Sequence, residues 1–251
     1  MAKHKGHLGL GIILALSFLL VLALIFSPIF PKSPEGKPQN GLGYADTMFN
    51  RLSKGSSYFI PKLFKDNEKF MGTMFTVTLK MDKPEDKTGD AEKRTELASM
   101  LYTAVEGTKV EVKGAELKIE GDLGKVLESA LQDSDAMFKN EGEKIKAKYA
   151  YDDEQKMFRQ WHNTLIKIDK EFKKQKMIAE AKMVTNVTKK AVEAAYNFYG
   201  VAPEKVKDKA GMMTFLLVFY VAYTMWWGFA IFYIFEGIGL SMKKAKVKKE
   251  V

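Results

Sequence analysis

Residue types able to do chemistry are sparse in this 251-residue chain, and their spacing does not bring them together. There is no cysteine, which excludes a disulfide framework, thiolate zinc or iron–sulfur sites and a cysteine nucleophile. Of the three histidines, His4 and His7 belong to a basic N-terminal tail, and His162 stands beside Trp161 with no second histidine at ligand spacing. A metal site needs three or four converging donors, so His162 reads as a surface or packing residue. Asp133/Asp135 and Asp152-Asp153-Glu154 fail the oxygen spacing of a calcium loop after the second position. Acids at a helix start are expected from the macrodipole alone. No G-x-S-x-G, G-x-x-x-x-G-K-[ST], H-E-x-x-H or G-x-G-x-x-G is present. Asn186-Val187-Thr188 matches a glycosylation acceptor but falls on a packing position in mid-helix. The expectation is a non-catalytic protein without cofactor or metal.

One cluster does carry a binding chemistry. The uncharged run Met212 to Phe235 holds Phe215, Phe219, Tyr220, Tyr223, Trp226, Trp227, Phe229, Phe232, Tyr233 and Phe235. Trp226 and Trp227 lie near its middle, away from the interfacial belt where such rings usually collect. So many rings could bind a quinone, a carotenoid or a lipid tail. The favoured reading has them pack against helices of a partner or of neighbouring copies, with Gly228 allowing close approach. The second reading names Tyr223, Trp226, Trp227, Gly228, Phe232 and Glu236 as packing residues. Glu236, at the run's edge, is either a partner contact or an interfacial group.

The elements that must position these residues begin with two apolar runs. Leu8 to Phe26 and Met212 to Phe235 are each long enough for a helix crossing about 30 Å of hydrocarbon. A cleaved signal peptide would show a shorter core and a small-x-small exit, whereas the chain reads Ile25-Phe26-Ser27-Pro28-Ile29-Phe30-Pro31. The first run is therefore read as a retained span, 8–27, and the second as 212–236. Lysines are held on the cytoplasmic side of a span. Lys3 and Lys5 precede the first run, and Lys243, Lys244, Lys246, Lys248 and Lys249 follow the second. The tails 1–7 and 237–251 thus read as cytoplasmic, and the intervening chain as extracytoplasmic, in a bacterium the periplasmic side of the inner membrane. Lys205, Lys207 and Lys209 oppose this assignment, but long domains translocate largely regardless of charge.

The formal charge of +9 also changes meaning once the tails are set apart. Without those seven lysines and without Glu236 and Glu250, 33 basic and 29 acidic residues remain, a surplus of four. Dispersed lysines with no clustered arginine make a solvated surface, and a nucleic-acid partner is not expected.

Between the spans, 28–72 is rich in proline and glycine at its start and reads as an irregular lead-out. Its patch Tyr58 to Phe64 is expected to fold onto the following domain. Residues 73–150 read as β-α-β-β-α: alternation over Met74–Met81, a helical face Leu97, Leu101, Val105 ended by Gly107, and a hairpin across Gly114-Ala115. Asp122 then caps a helix with apolar face Leu123, Leu127, Leu131 and Phe138. This order is four-fifths of a ferredoxin-like pattern. In 151–200, Asp152 with Gln155 resembles a capping box. Trp161, Leu165, Ile168 and Phe172 form one coiled-coil-like seam, and Met177 to Phe198 forms another, out of phase by a step of five. No Gly or Pro interrupts it, so one long helix is expected, with a hairpin near Lys173–Lys176 as the alternative. Residues 201–211 read as a linker.

The expected fold is thus an α+β membrane protein: two transmembrane helices flanking a small β-α-β-β-α extracytoplasmic domain and a long helix or helical hairpin. Its seams and aromatic span point to assembly, as a homo-oligomeric scaffold or as an accessory subunit beside other membrane subunits and membrane lipids. In layout the chain also resembles the polysaccharide co-polymerases, with two terminal spans, an α/β base and a long helix. That resemblance would imply a ring that regulates chain length. The family expects a proline-rich segment at the second span, where this chain has only Pro203 before it.

Overall fold

The computed structural model describes residues 2–33, 36–83 and 89–240, with side chains from Gly6 onward. The basic tail expected beyond Leu240 lies outside the described residues. The chain is helix-rich with one three-stranded sheet, and it divides into two compact units. Met1–Leu52 with Glu204–Val251 form one, and Ser53–Pro203 form the other.

In the first unit, α1 (Ala2–Phe26) and α10 (Val206–Gly237) are each long and apolar enough to cross a membrane. They pack antiparallel, since Leu8 meets Gly237, Gly11 meets Ile234, and Phe18 meets Tyr223. α10 begins at Val206, so half of the expected linker 201–211 is helical. The expected irregular lead-out 28–72 is corrected more broadly. It contains α2 (Gly41–Ser56) and α3 (Ile60–Asn67). Asn40 Oδ1 accepts from the Gly43 amide at 2.8 Å at the start of α2, and Pro61 sits in the first turn of α3, where its missing N–H costs nothing. Arg51 donates to Glu204 Oε1 at 2.8 Å and joins α2 to the residues that lead into α10.

In the second unit the sheet contains β1 (Met74–Lys80), β2 (Lys109–Lys113) and β3 (Glu116–Asp122), in the order β1-β3-β2 with both pairings antiparallel. The helix α4 (Asp90–Thr103) crosses from β1 to β2, leaving room for β3 between them, which is a split βαβ arrangement. Phe75, Val77, Leu79, Leu117 and Ile119 are buried on one face, as their alternation predicts. The other face pairs Lys109 with Glu120 at 3.3 Å and Lys118 with Glu111 at 3.1 Å. Asp122 caps α5 (Leu123–Phe138) through the amides of Gly124 and Lys125. α6 (Gly142–Tyr149) follows, and α7 (Glu154–Lys174) starts from Asp153, one residue after the capping aspartate expected at Asp152. Within the Tyr58 to Phe64 patch, Ile60 and Leu63 enter the core while Phe59 stays exposed.

The continuous helix expected over 151–200 is a hairpin. α7 ends at Lys174, and α8 (Ile178–Val187) turns back and packs on it. Lys176 takes φ +62°, its amide bonds the Lys173 carbonyl at 3.3 Å, and the Met177 amide bonds Phe172 at 2.9 Å. That is a Schellman stop with lysine in the left-handed position. The step of five between Phe172 and Met177 is this turn. A single π turn, Thr188–Val192, then leads into α9 (Glu193–Asn197). The long helix over 151–200 that the resemblance to the co-polymerases implies is therefore not formed.

One interior cluster is polar. Asp133 is buried and accepts from Trp161 Nε1 at 2.7 Å, Lys148 Nζ at 2.6 Å and the Tyr149 hydroxyl. Beside it the Tyr102 hydroxyl donates to Thr164 Oγ1 at 2.7 Å, and the Tyr102 ring meets Trp161 edge-on. Burial pushes both tyrosines well above the ordinary phenol range, and the Asp133 charge pushes Tyr149 further.

Two outcomes follow for stability. A lysine at positive φ costs about 1 kcal/mol relative to glycine, so Lys176→Gly should raise the unfolding free energy by up to that amount in denaturant titrations. The folded tyrosines hold their protons where unfolded ones, ionising near pH 10, release them. Their contribution is complete below that pH and declines above it by about 1.4 kcal/mol per pH unit per tyrosine. Unfolding at about pH 9 and about pH 11 should show the Tyr102→Phe/Tyr149→Phe variant losing less stability than the parent.

Candidate functional site

The residues expected to serve assembly separate into two groups. Trp161, Leu165, Ile168 and Phe172 are fully buried inside the second unit. The α7 seam is filled by the chain's own α4, α8 and β1, with Phe172 edge-on to Phe75 at 5.5 Å. It is therefore no free surface, which corrects its assignment to partner packing. The helical period announced a buried face without saying what would bury it.

The α10 residues behave differently. Tyr223 stacks on Phe18 at 4.0 Å between ring centres and donates its hydroxyl to the Phe18 carbonyl at 3.1 Å. Trp227 meets the same Phe18 ring at 4.7 Å. Glu236 accepts His7 Nδ1 at 2.9 Å, so its partner lies in this chain. Phe232 is half-buried and packs edge-on against Tyr233, which in turn meets the His7 ring. Trp226 contacts the Tyr223 ring, and its shielded indole N–H has no acceptor among the described residues.

Close approach of the two helices rests on glycines the sequence reading passed over. A Cβ added at Gly11 would stand 2.6 Å from the Ile234 amide nitrogen, and one at Gly237 would stand 2.5 Å from the Leu8 Cα. Gly228 meets nothing within 4 Å. It lies on the side of α10 turned away from α1, among exposed Leu217, Val221, Met225 and Phe229. Which glycines touch a partner helix depends on rotation about the helix axis, and that rotation is set by the Phe18–Tyr223–Trp227 stack. Charge at Glu236 and His7 was the one available signal, since two ionisable groups at the ends of apolar runs gain by pairing.

Elsewhere, two titratable arrangements escaped sequence reasoning. Lys54 is buried and donates to Asn140 Oδ1 at 3.0 Å, the Phe198 carbonyl at 3.0 Å and the Val201 carbonyl at 2.5 Å. Burial lowers its pKa. All three ammonium protons are engaged, so it serves as a tie between the end of α2 and the loop after α9. His162 Nε2 lies 3.2 Å from Glu193 Oε1 at a cavity of about 280 Å³ that Arg159 and Tyr196 also line. That lining supplies two metal-donor side chains, and no group of three or more His, Asp or Glu able to hold a metal occurs among the described residues. Compared with protein families, with curated proteins and with solved structures, the chain matches none.

The chemistry available at the helix pair is packing. Gly11→Leu or Gly237→Leu should force the helices apart and cost about 1–3 kcal/mol, read as loss of resistance to denaturing detergent by circular dichroism. Gly228→Leu, meeting open space, should leave that resistance unchanged.

Proposed function

We propose that the chain is a non-catalytic two-span membrane protein whose α10 outer face binds further membrane helices. These come from other copies or from other subunits of a membrane complex. The second unit then stands on the extracytoplasmic side, and both termini stand in the cytoplasm. The observation that carries this reading is the two-sided α10. One side is closed on α1 by Gly11, Gly237 and the Phe18 stack, and the other leaves a row of large apolar side chains around Gly228. An antiparallel pair puts the start of α1, with Lys3 and Lys5, beside the end of α10, after which the other five lysines follow in the sequence, and this supports a common retention inside. With the α7 seam filled internally, assembly is assigned to α10 alone.

Native mass spectrometry of the protein extracted gently from its own membrane tests the proposal. A fixed assembly is expected for the parent chain, and mainly single chains of unchanged melting temperature for Gly228→Leu. Single chains from the parent would overturn it, as would an assembly indifferent to Gly228→Leu and to Met225→Ala/Phe229→Ala.

A further inference from the structure

Within the first unit, a cavity of about 140 Å³ opens among Lys32, Tyr44, Thr47, Arg51, Glu204 and Lys209. Three cations face one carboxylate. Glu204 Oε1 takes Arg51 at 2.8 Å, and Lys209 stands 3.8 Å from Oε2, so that carboxylate is already shared. Lys32 has no ionic or hydrogen-bonded partner among the described residues. The Tyr44 and Thr47 hydroxyls add neutral donors to the lining. The site's surplus is therefore two positive charges, in a space suited to a small anionic group.

A second hollow lies beside α2 and α10. An apolar groove of about 580 Å³ is lined by Ala45 and Phe49 of α2 and by Met213, Leu216, Leu217 and Tyr220 of α10. Lys209 precedes Met213 by four residues and so lies on the same α10 face, one turn before the groove. Leu42 and Phe49, seven residues apart and so on one face of α2, are exposed, while Met48 and Leu52 are buried. Lys209 is also only three residues, about 4.5 Å of helix rise, from the start of the uncharged run. Cations at that depth and an apolar groove just inside it reproduce the order of a phospholipid: phosphate, then chain.

We propose that this cavity and groove hold one anionic glycerophospholipid, its phosphate between Lys32, Arg51 and Lys209 and an acyl chain along Phe49, Met213 and Leu217. The inference rests on the membrane reading above. It also gives Lys209 a role on the side of the span where basic residues are otherwise disfavoured.

The full-length chain is tested by native mass spectrometry in detergent, titrated with phosphatidylglycerol, phosphatidylcholine or inorganic phosphate. One phosphatidylglycerol should be retained more tightly than phosphatidylcholine. Lys32→Gln/Lys209→Gln should weaken phosphatidylglycerol by about tenfold or more, at about 1 kcal/mol per lysine, and weaken phosphatidylcholine, whose phosphate is offset by its own choline cation, by less. Leu217→Trp, filling the groove, should weaken both lipids. The glutamine variant removes exposed or half-exposed side chains, and an unchanged melting temperature shows that it folds. Equal retention of the two lipids overturns the proposal, as does displacement of phosphatidylglycerol by millimolar phosphate, which would mark a free-anion site. Failure of the membrane reading is separate: the chain would then leave the membrane fraction on alkaline carbonate extraction.

Discussion

Backbone-to-backbone contact between α1 and α10 is the constraint on which the first unit depends. At Gly11 and Gly237 there is no room for a Cβ, so the pair is held at a separation that ordinary side chains would forbid. In an apolar solvent, helices associate by such contacts and by hydrogen bonds rather than by expulsion of water. The Tyr223 hydroxyl on the Phe18 carbonyl and the His7–Glu236 pair supply the polar part, at mid-length and at one end. The consequence is geometric. Once one side of α10 is closed, the identity of the residues on its other side is determined, and Gly228 falls there.

The second unit solves a different problem. Its helices and sheet bury a large aromatic core, yet a carboxylate sits within it. Asp133 takes donors from Trp161, Lys148 and Tyr149, which come from α7 and α6. A buried carboxylate is tolerable when paired and fully hydrogen-bonded, and removing one partner is then far more costly than the pair is worth. The cluster thus ties α5, α6 and α7 in a single register.

The sheet was legible because a period of two over Met74–Lys80 and Glu116–Asp122 admits one buried face, and Asp122 announced the helix after it. Helical faces were legible too, but not their partners: Trp161, Leu165, Ile168 and Phe172 look alike whether covered by another chain or by α4 and α8. The turn at Lys176 was hidden because the residue at its left-handed position is lysine, and glycine is the usual signal. Only the step of five to Met177 marked it. α2 was obscured for a related reason: four prolines and a glycine precede it in the lead-out, while its own length carries few buried residues. Close-approach glycines were not legible at all. Gly9, Gly11, Gly228 and Gly237 are equivalent as letters, and tertiary rotation separates them.

Charge placement draws the first unit together. Five lysines follow the second apolar helix in the sequence, and Lys205, Lys207 and Lys209 sit at its opposite end. There the α10 N-terminus already carries partial positive charge, so lysines add repulsion. Glu204 answers part of it, with Arg51 and Lys209 on its two oxygens, and Asp208 lies in the first turn. The remaining excess concentrates where α2 and α10 border the cavity. An arrangement that only needed neutrality could have dispensed with Lys32 and Lys209. Both stand beside a single shared carboxylate, which leaves the charge surplus that the proposed phosphate would answer, and the apolar groove one turn along α10 suits the acyl chain of that proposed lipid.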